Sequence, residues 1–329
     1  MTDRATMTGT RSPQISSVLK KVLILCVGGF LVAAPFLVES FALFELTTVL
    51  CYVTVLIGMN LLTGYGGQVS LGHGAFAALG AYSYIVLITL GVPFWPALIG
   101  IGVICFIAGF AFGFPALRLS GHHLALATFA LAVATPQFIK IKAFEPWTGG
   151  SNGSFIPLPE APAWFAYGDE AWFYYICVGF TLLSLIVAVN ILRGRSGTAI
   201  RAIKDNPTAA AAMGIDVARY KTLVFGVSTT MAGLAGAGMS IQTQYVSPES
   251  FTLVLSIIFL VGLVVGGIGS LWGAVLGALF LQYVPYYTEQ VSEVAPAAVF
   301  GALLLLTIFF MPRGLAGAAA SATRRLGRK

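Results

Sequence analysis

FALFELTTVLCYVTVLIGMNLLTGYGGQVSLGHGAF, residues 41–76, sets the reading of the whole chain. Its first part, 41–62, carries a single charge, Glu45, and is long enough to cross a hydrocarbon core of about 30 Å, which takes roughly 20 apolar residues. It then runs straight into Gly64, Gly66, Gly67, Gly72, Gly74 and Gly80. Each glycine weakens a helix by about 1 kcal/mol relative to alanine. A helix broken near a membrane surface frees backbone groups, and these must be satisfied by protein or line a watered cavity. Gly64, Gly66, Gly67, Gln68, Ser70, Gly72, His73 and Gly74 are therefore candidates for a translocation path at a helix break. Close packing explains the same residues, because Gly72, Phe76 and Gly80 share one helix face, as do Gly74 and Ala78. One residue can do both.

The composition agrees with a lipid exterior. Of 329 residues, 58% are hydrophobic and only 9% charged, where a soluble domain carries about 25%. The 38 glycines suit membrane helices, which approach one another closely. Apolar stretches recur at about 22–38, 41–62, 70–90, 95–117, 122–139, 171–192, 222–242, 251–268, 271–287 and 296–311. The expected fold is an all-α polytopic membrane protein of about 8–10 transmembrane helices, with broken or re-entrant Gly-rich segments. The hinge Gly269-Ser270 leaves 251–287 as two crossings or as one crossing plus a re-entrant half-helix. Residues 22–38 follow Lys20 and Lys21 and end at Glu39 with no small-residue cleavage site, so they read as a retained span. Cys26, Cys51, Cys105 and Cys177 lie inside apolar stretches without CxxC spacing, which points to packed thiols.

The charges give an orientation. With the N-terminus inside, every Lys and Arg except Lys140 and Lys142 falls on the inner side, while Glu39, Glu145, Glu160, Asp169, Glu170, Glu249, Glu289 and Glu293 fall outside. That asymmetry places both termini in the cytoplasm. The net charge of +6 reports orientation, not a nucleic-acid partner. The domain plan is a disordered cytoplasmic tail at 1–19, a transmembrane domain at 20–315 and a basic cytoplasmic tail at 316–329. An external loop at 140–170 and an inside loop at 193–221 are the two long connections.

No Lys or Arg lies within a span, and Glu45 sits near enough to the outer end of its own to reach the interface. Ion-coupled carriers usually place ionisable groups inside, so a proton-coupled carrier is disfavoured. A lone His73 just inside a span reads as a packed, hydrogen-bonded residue; His122 and His123 read as interfacial. HExxH and GxxxxGK[ST] are absent, so the chain carries no zincin or phosphate-loop motif.

Two further segments stand out. Gly266, Gly267, Gly269 and Ser270 open a second break that echoes the first: Gly66-Gly67 then Ser70-Leu71, against Gly266-Gly267 then Ser270-Leu271. The inside loop holds 199–204, with Thr198 as its expected cap, then Asp205-Asn206-Pro207-Thr208 leading into four alanines, Met213 and Gly214. Asn206 suits an N-cap, Pro207 the first helical position and Gly214 a left-handed end. Arg201, Asp205, Asn206, Pro207, Ala210, Ala211, Met213 and Gly214 thus form a small, capped knob suited to docking into a partner's groove.

Together these segments resemble the LivM type of permease, from the branched-chain amino-acid ABC importers. The resemblance runs over roughly 45–315 and includes Arg118-Leu-Ser-Gly121, Thr148-Gly-Gly-Ser151, Val246-Ser-Pro-Glu-Ser-Phe251 and Pro312-Arg-Gly-Leu315. The inside loop is similar to the "EAA" docking loop of such importers, although Pro207 and Thr208 stand where an acid is expected. The resemblance implies a permease subunit in a bacterial plasma membrane that is no enzyme itself and needs no cofactor. Its implied companions are a sister permease, two ATP-binding subunits and an extracytoplasmic solute-binding protein. A permease for urea or short amides, or a self-sufficient secondary carrier, are the alternatives.

Overall fold

The computed structural model describes residues 27–116 and 121–291, with parts of 301–318. Residues 1–19, 22–26, 118–120 and most of 296–311 and 316–329 lie outside the described residues, and with them the expectations placed there. The chain forms α1 (Val27–Leu37), α2 (Ser40–Met59), α3 (His73–Thr89), α4 (Phe94–Ala116), α5 (Gly121–Ile139), α6 (Glu145–Thr148), α7 (Gly168–Arg193), α8 (Arg195–Asp205), α9 (Pro207–Ala212), α10 (Val217–Thr243), α11 (Leu253–Gly266) and α12 (Leu271–Val291). Every apolar stretch from 41–62 to 271–287 falls on a helix, as does the described part of 22–38, so the protein is all-α and multi-pass. Ser40–Tyr65, Phe94–Phe114, Gly168–Arg193 and Val217–Thr243 are each long and apolar enough to cross a bilayer.

α10 is the hub, packed on α2, α3 and α4. Small residues put it there. A Cβ on Gly80 would strike the Gly233 carbonyl, and one on Gly236 would strike that of Ala77, so α3 and α10 touch backbone to backbone. α4 closes in the same way, with Gly109 against the Thr229 side chain. Without water to drive helices together, such contact is what holds membrane helices in register. Around the seam Phe76, Phe112 and Phe225 pack with ring centroids 5.7–6.3 Å apart.

α11 and α12 form an unequal hairpin, in which Gly262 abuts Gly277 and Gly266 abuts Gly273. At 1.5 Å per residue the 14 residues of α11 reach about 21 Å, short of the core, and the 21 residues of α12 about 31 Å. α11 is therefore the half-length arm of that pair. Glu45, near the start of α2, is buried beside Tyr283 of α12.

At the end of the bundle away from α8 and α9, two motifs of the resemblance meet. β1 (Ser154–Phe155) and β2 (Tyr245–Val246) form a short antiparallel ribbon, in which Ser154 pairs with Val246 and Phe155 with Tyr245. Gly149, Gly150 and Gly153 turn the preceding loop with positive φ. Lys140, expected as one of two exceptions to the charge asymmetry, pairs there with Glu249.

Candidate functional site

The first break begins inside α2. At Asn60–Tyr65 the ladder widens to a π-turn, so that Gly66 N reaches back five residues to Leu61 O at 3.0 Å and Gln68 N then reaches Leu62 O. π-turns are rare and recur at functional sites. Gly67, at φ +66°, ends the helix, and α3 restarts at His73 rather than at 70. The freed amides are satisfied by protein: Leu71 N donates to Thr128 Oγ1, Gly72 N to Ser70 Oγ and Gly74 N to Ser256 Oγ. Gly64, Gly66, Gln68, Ser70, Gly72, His73 and Gly74 are all buried, whereas Gly67 is exposed. Within this subunit the glycines fill seams between helices.

His73 is fully buried, as expected of a packed residue. Its Nε2 lies 2.8 Å from Ser228 Oγ, which itself donates to Gly58 O at 2.7 Å. The Ser228 proton is thereby spent on Gly58, which assigns the His73 proton to Nε2.

The second break repeats the device. Gly267, at φ +118°, ends α11, and Ser270 Oγ accepts from Gly273 N as Ser70 Oγ does from Gly72 N. Gly266 is buried, and Gly269 and Ser270 are half-buried. Gly314, from the Pro312-Arg-Gly-Leu315 motif, seats its Cα directly on Gly267.

The two breaks touch. Asn60, wholly buried, donates from Nδ2 to Ser270 O and accepts from Gly269 N at Oδ1, both at 2.8 Å. Gly64 makes room for this clamp, since a Cβ there would collide with Asn60 Oδ1 and come within 2.8 Å of Gly269 N.

The loop at 193–221 lies against the same region. Asn206 Oδ1 caps α9 by accepting from Thr208 N and Ala209 N at 3.0 Å, Pro207 takes the first position and Gly214, at φ +81°, ends it. Thr198 does not cap α8. The helix restarts at Arg195, one residue after α7 ends, and the Thr198 hydroxyl donates back to Arg195 O. Asp205, Asn206, Pro207, Ala211 and Gly214 are exposed and Met213 is 84% exposed, while Ala210 is buried against the bundle. Arg201 turns to the bundle: its guanidinium donates to Leu192 O and sits 6.0 Å from the Tyr65 ring centroid. Lys204 Nζ donates to Gly64 O at 2.6 Å.

Asn60, Lys204, Thr128, Ser228 and Ser256 were not foreseen. The one local signal was Asn60 itself, an amide in an otherwise apolar span, where a polar group needs a partner.

This arrangement, a bundle with paired breaks and an exposed capped loop, has known relatives. The family described as branched-chain amino acid transport system / permease component matches residues 41–312. The chain belongs to that permease family. The high-affinity branched-chain amino acid transport system permease protein LivM of Salmonella typhimurium is 29% identical over 326 residues, covering 91% of this chain and 76% of that one. LivH of the same organism is 25% identical, covering 81% and 91%. Among solved structures, PsaBC from Streptococcus pneumoniae in complex with Fab covers 86% of this chain and 93% of its own at 13% identity, with a TM-score of 0.44. The matched span, 41–312, takes in both breaks and the loop.

Proposed function

We propose that this chain is a transmembrane permease subunit of an ABC importer for branched-chain or related amino acids. It pairs with a sister permease and is driven by two separate ATP-binding subunits, with an extracytoplasmic binding protein delivering the solute. The observation that carries this reading is the α8–α9 knob. Its α9 is capped at both ends, the loop is exposed along 204–209 and 211–214, and Lys204 binds its base to the helix breaks. Met213, 84% exposed beside the alanine surface, suits a loop that enters a groove on an ATPase. The charge asymmetry supports a cytoplasmic knob, where ATP is, with both termini on the same side and the β1–β2 ribbon facing the binding protein.

In this scheme the chain supplies path and lever. Closure of the ATPase pair changes the separation of the docking loops, and the solute path opens to one side or the other by differential affinity of the states. The pathway residues are sought at the breaks, where Gly67, Gly269 and Ser270 remain accessible for the sister subunit to complete a lumen.

Purification of the chain with its native companions tests the whole reading. Co-elution of an ATPase stimulated by a binding protein loaded with leucine is the expected result. Stimulation by urea in place of leucine moves the solute within the family, and uptake by this chain alone in liposomes refutes the dependence on an ATPase.

A further inference from the structure

Three elements converge on Gly64. Its carbonyl takes the Lys204 ammonium, and its Cα faces both Asn60 Oδ1 and the Gly269 amide. The π-turn makes this possible, because Gln68 N turns to Leu62 O and leaves the Gly64 carbonyl to Lys204. The aliphatic stem of Lys204 also rests on the first break, since a Cβ on Gly67 would lie 2.9 Å from Lys204 Cγ. Further along α8, Arg201 holds Tyr65 at the end of the same π-turn. The helix that leads into the knob is thus fastened along one side to the π-turn, and the π-turn is fastened by Asn60 to the turn between α11 and α12.

We propose that Lys204 and Asn60 are positioning residues that pass movement of the α8–α9 loop through Gly64 to the α11–α12 turn. The proposal rests on the reading of α8–α9 as the docking loop. A shift of α8 must either break a charge-assisted hydrogen bond or carry the π-turn with it. The π-turn in its turn cannot leave Gly269 and Ser270 without stranding the buried side-chain amide of Asn60. π-turns inside α-helices recur at functional sites. The α11–α12 turn is then placed by the motor's position and not by its own packing alone.

The test uses the reconstituted complex of this chain with its sister permease, ATPase subunits and binding protein. Two quantities are read: solute taken up per ATP hydrolysed, and thiol labelling of Ile268→Cys, half-exposed on the turn, with and without ATP in a background lacking the native cysteines. Lys204 is exposed, so Lys204→Met folds and assembles; uptake per ATP is expected to fall about tenfold and labelling to lose its response to ATP. Lys204→Arg keeps a donor and retains both. Asn60→Asp, which keeps the acceptor for Gly269 N and loses the donor to Ser270 O, uncouples from the other side, and the double variant is no worse than the worse single. Lys204→Met with wild-type stoichiometry and ATP-responsive labelling overturns the relay and leaves the docking reading intact. A wild-type chain that recruits no ATPase overturns both.

Discussion

Gly80 of α3 and Gly233 of α10 are in backbone contact, with no space between them for a single methyl group. The hub helix is seated by this contact and by its neighbour one turn on, where Gly236 meets the Ala77 carbonyl. Overpacking a filled core costs typically about 1–3 kcal/mol, and more when the obstacle is backbone that cannot rotate away. Gly80→Val is therefore expected to lower the yield of folded, detergent-soluble protein sharply and to lower its melting temperature. Gly179→Val, whose Cβ meets nothing within 4 Å, is the control and should behave as wild type.

The α3 side of that seam was visible in the sequence, where Gly80 shares a helix face with Gly72 and Phe76, but nothing there pointed to Gly233 and Gly236 of α10 as its partners. The spans were visible because apolar length is read directly against bilayer thickness. The chemistry of α9 was equally local, so Asn206, Pro207 and Gly214 took the places expected of them. What could not be read is what crosses the chain. Asn60 meets Gly269 and Ser270 about 210 residues away, and Lys204 meets Gly64 across 140, with no periodicity linking either pair. The π-turn has no sequence signature of its own. Thr198 misled because the cap rule ignores what precedes it: α7 ends at Arg193 and Gly194 alone separates it from α8, so the helix restarts before the threonine is reached.

The cap on α9 carries a measurable share of the loop's order. Six residues are far too few for a helix to persist by itself, since isolated helices below about 12 residues are marginal. Asn206 Oδ1 takes two of the orphan amides, and removing such a cap costs about 1 kcal/mol. Asn206→Ala is expected to reduce hydrogen-exchange protection across 207–212 about fivefold, with Asn206→Asp restoring it. Protection in α10 serves as the internal reference and should not move.

The ion pair between Lys140 and Glu249 makes the opposite forecast. It joins the end of α5 to the turn before α11, but the Glu249 side chain is 69% exposed. Exposed pairs are worth less than about 1 kcal/mol and are screened by salt. Glu249→Gln should leave the melting temperature within a degree or two, in low salt and high. A larger loss would mean that the 148–155 loop and the 245–251 segment, joined by the β1–β2 ribbon, depend on this pair for their mutual placement.

The docking assignment itself is exposed to a direct test, because the knob separates folding from contact. A Cβ on Gly214 meets nothing within 4 Å, so Gly214→Ala is opposed only by the left-handed backbone, at about 1–2 kcal/mol. Gly214→Pro is a different perturbation. Proline holds φ near −65° where the chain needs +81°, and it removes the amide that Gly214 donates to Ala211 O, so α9 cannot close and its approach to α10 changes. Ala211→Glu leaves the backbone alone and places a charge on the exposed alanine surface. All three chains should insert normally in the membrane, since the loop lies outside the bundle core. Uptake is expected to fall partially for Gly214→Ala and to be lost for Gly214→Pro and Ala211→Glu, the last through failure to retain the ATPase on co-purification. Normal uptake by Ala211→Glu would show that this surface touches nothing that matters, and the knob would then have to be reassigned as a connector lying along the lipid headgroups.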